Sequence, residues 1–230
     1  MTLKTHTILA LRTLAIAGAA SLAVACQPAV AEGAVLAPTA KVTSSESGKQ
    51  TAVFSGGCFW GIEAVFSHVK GVTSAVSGYQ GGSKATANYN TVSDGNTGHA
   101  ESVKVTYDPK VIRYDQLLRI FFSVGADPTT LNYQGPDHGT QYRSALVPLN
   151  AEQKKVAAAY LDQLGKSGIW KGAIVTRIEP NKGFYPAETY HQDFMLKNPQ
   201  QGYIVRWDAP KVAALKKMFP GLYREAFKAG

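Results

Sequence analysis

The 230 residues are 45% hydrophobic and 17% charged, with 11 Tyr and 9 Phe, which excludes a globally disordered chain and leaves room for one or two domains. Only 2 Cys are present, so neither a disulfide scaffold nor a four-cysteine zinc site is possible. The net charge is +8, but no run of Lys or Arg exceeds two residues, and the charge reads as a solvated basic surface with no nucleic-acid partner.

The chain opens on an address. Met1 to Arg12 carries Lys4 and Arg12 and no acid, and the apolar stretch Thr13 to Ala25 that follows is too short to span a bilayer comfortably. Residues 1–31 therefore read as a secretory signal peptide. Ala29-Val30-Ala31 before Glu32 fits cleavage after Ala31, whereas Ala23-Val24-Ala25-Cys26 resembles a lipoprotein box with its Leu one place early, at Leu22. A retained membrane anchor is the third reading. All three put the rest of the chain outside the cytoplasm, in the periplasm or attached to the envelope. Residues 32–50, rich in Ala, Pro, Ser and Thr and without an aromatic, read as a disordered linker, and 51–230 as the folded domain.

Within the domain, Thr51 to Phe54 suits a short strand ending at Gly56-Gly57. Phe59, Ile62, Phe66 and Val69 follow at helical spacing, with Gly71 as the stop. Val72 to Tyr79 and His99 to Tyr107 read as strands, the second closed by Asp108-Pro109. Leu117, Leu118, Phe121 and Val124 mark a helix ended by Gly125, and the stretch from Ala126 to Gln141 has no period and reads as a long functional loop. Arg143 to Leu149 is a strand, Asn150 with Gln153 caps an Ala-rich helix to Leu164, and Ala173 to Ile178 is a final strand. The order β-α-β-β-α-β-α-β predicts a ferredoxin-like, two-layer α/β (α+β) sandwich with a mixed antiparallel sheet.

Two residues stand out chemically. Cys58 follows two glycines where a strand hands over to a helix, a place where backbone N–H groups and the helix dipole favour a thiolate. The bland alternative is an inert, buried cysteine. Glu101 shares a strand face with Val103, Val105 and Tyr107, which carries its carboxyl inward and predicts a raised pKa suited to a general acid; an exposed strand end is the alternative. Tyr89, Tyr142, Asp137 and His138 lie in Gly-bounded stretches that by themselves read as surface turns, as do His99, His68 and His191. Phe59 and Trp60 read as core or as an apolar wall beside the thiol. No His pair has helical metal-site spacing, and no metal is expected.

Gly57-Cys58-Phe59-Trp60-Gly61 with Glu63 resembles the signature of A-type peptide methionine sulfoxide reductases. So do, in order, Gly78-Tyr79, Gly81-Gly82, Tyr89, Gly98-His99-Ala100-Glu101, Tyr107-Asp108-Pro109, Gln134 to Ser144 and Tyr190-His191-Gln192. The resemblance implies Cys58 as nucleophile and Glu101 as acid. It makes Tyr89 and Tyr142 hydrogen-bond donors to the sulfoxide oxygen, Phe59 and Trp60 the methyl pocket, and Asp137 and His138 its border. It also implies action on the S epimer, free or in proteins, through a sulfenic acid on Cys58. No metal or organic cofactor is implied, and a monomer is expected. The family's frequent extra cysteines near the C-terminus are missing here, and Ala126 stands where a His is common. Recycling is therefore expected from an external thiol, a thioredoxin-like or glutaredoxin-like protein or a small thiol. A Cys–His hydrolase using Cys58 with His99 or His191, and a non-catalytic envelope binding protein, are the competing readings.

Overall fold

The computed structural model describes residues 34–230; the expected signal segment, Cys26 and the Ala31–Glu32 junction lie outside them. Strand β1 (Gln50–Ser55) leads through the two glycines into helix α1 (Phe59–Ser67), which ends short of Gly71 (φ 88°). Strand β2 (Val72–Gln80), the short helix α2 (Tyr89–Ser93) and strand β3 (Ala100–Tyr107) follow. Next come helix α3 (Tyr114–Ile120), a hairpin of β4 (Tyr133–Gln134) and β5 (Asp137–His138), strand β6 (Ala145–Val147) and helix α4 (Ala151–Gly165). The last elements are β7 (Arg177–Ile178), β8 (Phe184–Pro186), α5 (Phe194–Lys197) and α6 (Ala209–Met218).

Six strands form one sheet in the order β7-β6-β1-β3-β2-β8, antiparallel throughout except for the β6–β7 pair. The inner four strands have the ferredoxin-like order expected from the sequence, with β3 between β1 and β2. Alternation along the strands turns Phe54, Val103, Val105 and Tyr107 into the core beneath the helices, where Phe54 meets Phe66 at 4.8 Å and Phe121 at 5.3 Å between ring centres. Burying these rings is the main driving force for the two-layer packing. The Asn150 side chain caps α4 by accepting from Gln153 N at 2.8 Å, as its sequence promised.

Four sequence expectations need correcting. The helix through Leu117 and Val124 is interrupted: α3 stops at Ile120 and the chain continues as a π-turn, Phe121–Gly125. The Ser123 hydroxyl donates to the Arg119 carbonyl at 2.7 Å, competing with the helical ladder, and Ala126 N reaches back to Phe121 O. The strands expected over 143–149 and 173–178 shrink to Ala145–Val147 and Arg177–Ile178. The linker expected to be disordered is, over residues 34–49, a strap without helix or strand that lies fixed across α3 and α4.

Side chains satisfy the strap's backbone where secondary structure would otherwise do so. Val35 N donates to Ser123 O and Ala37 N to Ser123 Oγ, while Arg119 Nε donates to Ala37 O. Tyr160 donates to Pro38 O, and Ser44 N to the Asp115 carboxylate at 3.0 Å. The Ser44 hydroxyl accepts from Tyr114 N at 3.1 Å, which makes it the tertiary cap of α3. Replacing Ser44 by Ala orphans that buried N–H. The expected cost is about 1–2 kcal/mol, a fall in melting temperature of about 3–6 °C by calorimetry. An unchanged melting temperature would show the cap to be unimportant.

Candidate active site

The glycine pair sets Cys58 in place. Gly57 has φ 92°, and a Cβ there would lie 2.6 Å from Gln134 Cβ. A Cβ on Gly56 would lie 2.6 Å from Ala126 Cβ and from the Phe121 ring. Without side chains the loop sits flush between the π-turn and the β4–β5 hairpin, and no other residue type fits. Cys58 then occupies the N-cap position of α1, buried.

Glu101 comes up beneath it from β3. Its Oε2 accepts from Phe59 N, the first N–H of α1, at 3.0 Å, and the side chain is buried. The inward face read from the strand alternation is the one observed. Burial pushes its pKa up to about 8; the Phe59 N–H pulls the other way, and the charges of Asp137 and Asp208 add to the rise. At neutral pH the carboxyl is therefore largely protonated.

The thiol departs from its sequence expectation. Burial first, then the charges of Asp208, Glu101 and Asp137, hold the Cys58 thiol well above its ordinary pKa, and only the hydrogen bond from the Trp60 backbone opposes them. The helix start does favour a thiolate, but desolvation and three carboxylates outweigh it in the unliganded chain. A neutral Glu101 removes one of those three charges.

Aromatic rings wall the space beside Cys58. Phe59 packs against Tyr79 and His191, at 5.9 and 5.0 Å between ring centres. Trp60 lies flat on Phe194 at 3.7 Å, meets Tyr203 edge-on at 5.9 Å, and donates from Nε1 to His191 Nδ1 at 3.0 Å. Tyr89 starts α2, its N–H held by Glu188 at 2.9 Å and its ring 4.5 Å from that of His191. Tyr142 closes a 3-10 turn, Thr140–Tyr142; burial, then the charges of Glu101 and Asp137, keep its phenol protonated, able to donate. Asp137 accepts from the Tyr203 hydroxyl. His138 is exposed and stacks on Tyr133 at 5.2 Å.

Two histidines read as surface turns are buried. His99 is tied through both ring nitrogens to the Gly81–Ser83 turn, Nδ1 to Gly82 N and Nε2 to Ser83 O. His191 accepts from Trp60 at Nδ1, so its proton is on Nε2, and burial lowers its pKa, which keeps it neutral. Neither makes a hydrogen bond to Cys58 among the described residues, so the dyad a Cys–His hydrolase requires is not assembled.

Sequence reasoning missed Tyr203, Glu188 and Asp208. Tyr203 is the wall between Trp60 and Asp137; Glu188 ties Tyr79 and Tyr89 together; Asp208, fully buried, presses its Oδ1 against Gly61 of α1 and pairs with Lys211 at 3.3 Å. None carries a local pattern that marks it, because the contacts that bring them to the site span 66 residues or more. Together the site offers a buried sulfur, a neutral carboxyl at the same helix start, and phenols within an apolar wall. That set can attack an electrophilic atom while protonating the oxygen it bears.

Comparison with known proteins points the same way. The family profile described as peptide methionine sulfoxide reductase matches residues 50–221. The chain is 58% identical over 178 residues to peptide methionine sulfoxide reductase MsrA 2 of Mesorhizobium japonicum, covering 77% of this chain and 91% of that protein. It is 50% identical over 178 residues to the protein of the same name from Synechocystis, covering 77% and 83%. Among solved structures, methionine sulfoxide reductase A of Corynebacterium diphtheriae superposes with a TM-score of 0.57 at 29% identity, covering 75% of this chain and 92% of that one. Reduced Mxr1 of Saccharomyces cerevisiae gives 0.56 at 35% identity, covering 70% and 92%.

Proposed function

This chain belongs to the peptide methionine sulfoxide reductase family, and on that footing we propose that it reduces the S epimer of methionine sulfoxide, protein-bound or free, through a sulfenic acid on Cys58. The observation that carries the mechanism is the buried Glu101 carboxyl, hydrogen-bonded to the first N–H of the helix that Cys58 caps, where burial favours its protonated form. The sulfoxide sulfur is attacked by Cys58 Sγ only as its oxygen takes up a proton, and Glu101 supplies that proton. Tyr89 and Tyr142 donate to the same oxygen, while Phe59 and Trp60 receive the methyl group. The thiol proton passes to the Glu101 carboxylate, restoring the acid. In sum, the oxygen moves from the methionine sulfur, reduced by two electrons, to Cys58, oxidised by two to the sulfenic acid. An external dithiol then attacks the sulfenic sulfur, water leaves, and a second thiol resolves the mixed disulfide.

With dithiothreitol as reductant, the purified protein is expected to convert methionine-S-sulfoxide and leave the R epimer. Equal turnover of both epimers overturns the stereochemical assignment, and turnover of neither overturns the reaction. The basic start and apolar run of residues 1–25 support export to the periplasm or envelope. Mass spectrometry of the N-terminus separates cleavage after Ala31 from a lipid on Cys26, and an intact Met1 on cytoplasmic protein refutes export.

A further inference from the structure

Tyr203 joins the aromatic wall of the site to a second space. A cleft of about 650 Å³ runs between the π-turn, the β4–β5 hairpin and residues 203–207. Its inner wall is the packing that holds the catalytic loop: Ala126 and Gln134 line the cleft and are the residues pressed against Gly56 and Gly57. Tyr203 is shared, with its edge toward Trp60 and its ring also lining the cleft. A polypeptide whose side chain is taken up beside Trp60 would meet Tyr203, and through it would present its neighbouring residues to the cleft. A free amino acid would leave the cleft empty.

The lining has the composition of a recognition surface. Tyr133 is 39% exposed and Val205 is 51% exposed, and Trp207 stands beside them. Arg206 is exposed, its guanidinium held over the Trp207 ring at 5.0 Å, and it has no acidic partner among the described residues. The other lining cation, Lys211, is committed to Asp208, and the one lining carboxylate, Asp127, is turned back on Thr129 N and Oγ1. Arg206 is thus the exposed cation of the lining without an ion-pair partner among the described residues, planar and oriented by the Trp207 ring, which suits a carboxylate.

We infer that this cleft is a subsite for the polypeptide flanking the oxidised methionine, and that Arg206 selects an acidic residue there. The inference rests on the proposed reduction at Cys58 and adds a sequence preference to it. Acetylated pentapeptides with central methionine-S-sulfoxide and Asp, Ala or Lys on either side are the probes. For the wild-type protein kcat/KM is expected to favour Asp over Lys about fivefold on one side of the sulfoxide, the scale of an exposed ion pair, and the preference should shrink at high salt. Arg206→Glu should reverse the ratio. Reduction of N-acetyl-methionine sulfoxide by the wild type tests the underlying reaction separately, so its failure is not confused with failure of the subsite. Equal kcat/KM for Asp and Lys peptides overturns the inference. So does an Arg206→Glu variant that keeps the wild-type ratio, including one in which only the KM for a thioredoxin-like reductant changes and the cleft proves to be the reductant's dock.

Discussion

Given one equivalent of methionine-S-sulfoxide and no reductant, the purified protein should release one methionine per chain and hold a trappable sulfenic acid, and Cys58→Ser should do neither. The loss in kcat/KM should be about a thousandfold or more, since the variant lacks the nucleophile. No intramolecular disulfide should form. The sequence contains 2 Cys; Cys58 is the free cysteine of the described residues, and Cys26 lies outside them. The C-terminal segment is tied down elsewhere: the Arg224 and Lys228 N–H groups bond to the carbonyls of His68 and Ser67, at the opposite end of α1 from Cys58. The readouts are dimedone labelling of Cys58 and peptide mapping without reduction. A disulfide in the mature chain, or turnover by the serine variant, would refute the one-cysteine cycle. Without a reductant the sulfenic acid is open to oxidation to the sulfinic form, which is ordinarily irreversible.

The second large effect belongs to Glu101 and has two opposite signs. As an acid, its loss should slow single-turnover reduction by about a hundredfold or more in Glu101→Ala, with Glu101→Gln between that variant and the wild type. The wild-type rate should fall as pH rises through about 8, where the carboxyl loses its proton. As a buried group, it destabilises the fold once ionised. Its folded pKa of about 8 lies above the 4.5 of an ordinary glutamate, so the penalty is absent below 4.5, grows through the interval, and is full above about 8. Near pH 8 it is about 4–5 kcal/mol. Glu101→Gln is therefore expected to be slower but more heat-stable than the wild type near pH 8, and equally stable near pH 5. Wild-type single-turnover rates in Glu101→Ala across this range would remove the acid assignment, and a pH-independent stability difference would remove the raised pKa.

Both residues were legible in the sequence for local reasons. Two glycines before a cysteine at a helix start, and a carboxylate in register with Val103 and Val105, are patterns of period and composition. The inner strands and α1 were readable for the same reason. What escaped depends on distant chain. The thiol's raised pKa owes its second-largest cause to Asp208, which arrives on a turn 150 residues later. Tyr203 acquires its place from Asp137 and Trp60. The π-turn escaped because Phe121 and Val124 keep helical spacing while Ser123 diverts the hydrogen bonds. The strap escaped because it has no period at all; its order comes from Asp115, Glu152 and Gln163.

That strap has a consequence in time. Its residues are the earliest described part of the chain to be synthesised, yet its partners lie 71 residues onward for Ser44 and Asp115 and 124 onward for Thr39 and Gln163. Closing such long loops is entropically costly until the partner surface exists. The strap must therefore wait, undocked, until α3 and α4 have been made and folded onto the sheet. Because it is also bonded to Ser123 in the turn that packs behind Gly56, final seating of the catalytic loop falls among the last steps of folding. Seating of the catalytic loop then waits on the docking of residues 34–49.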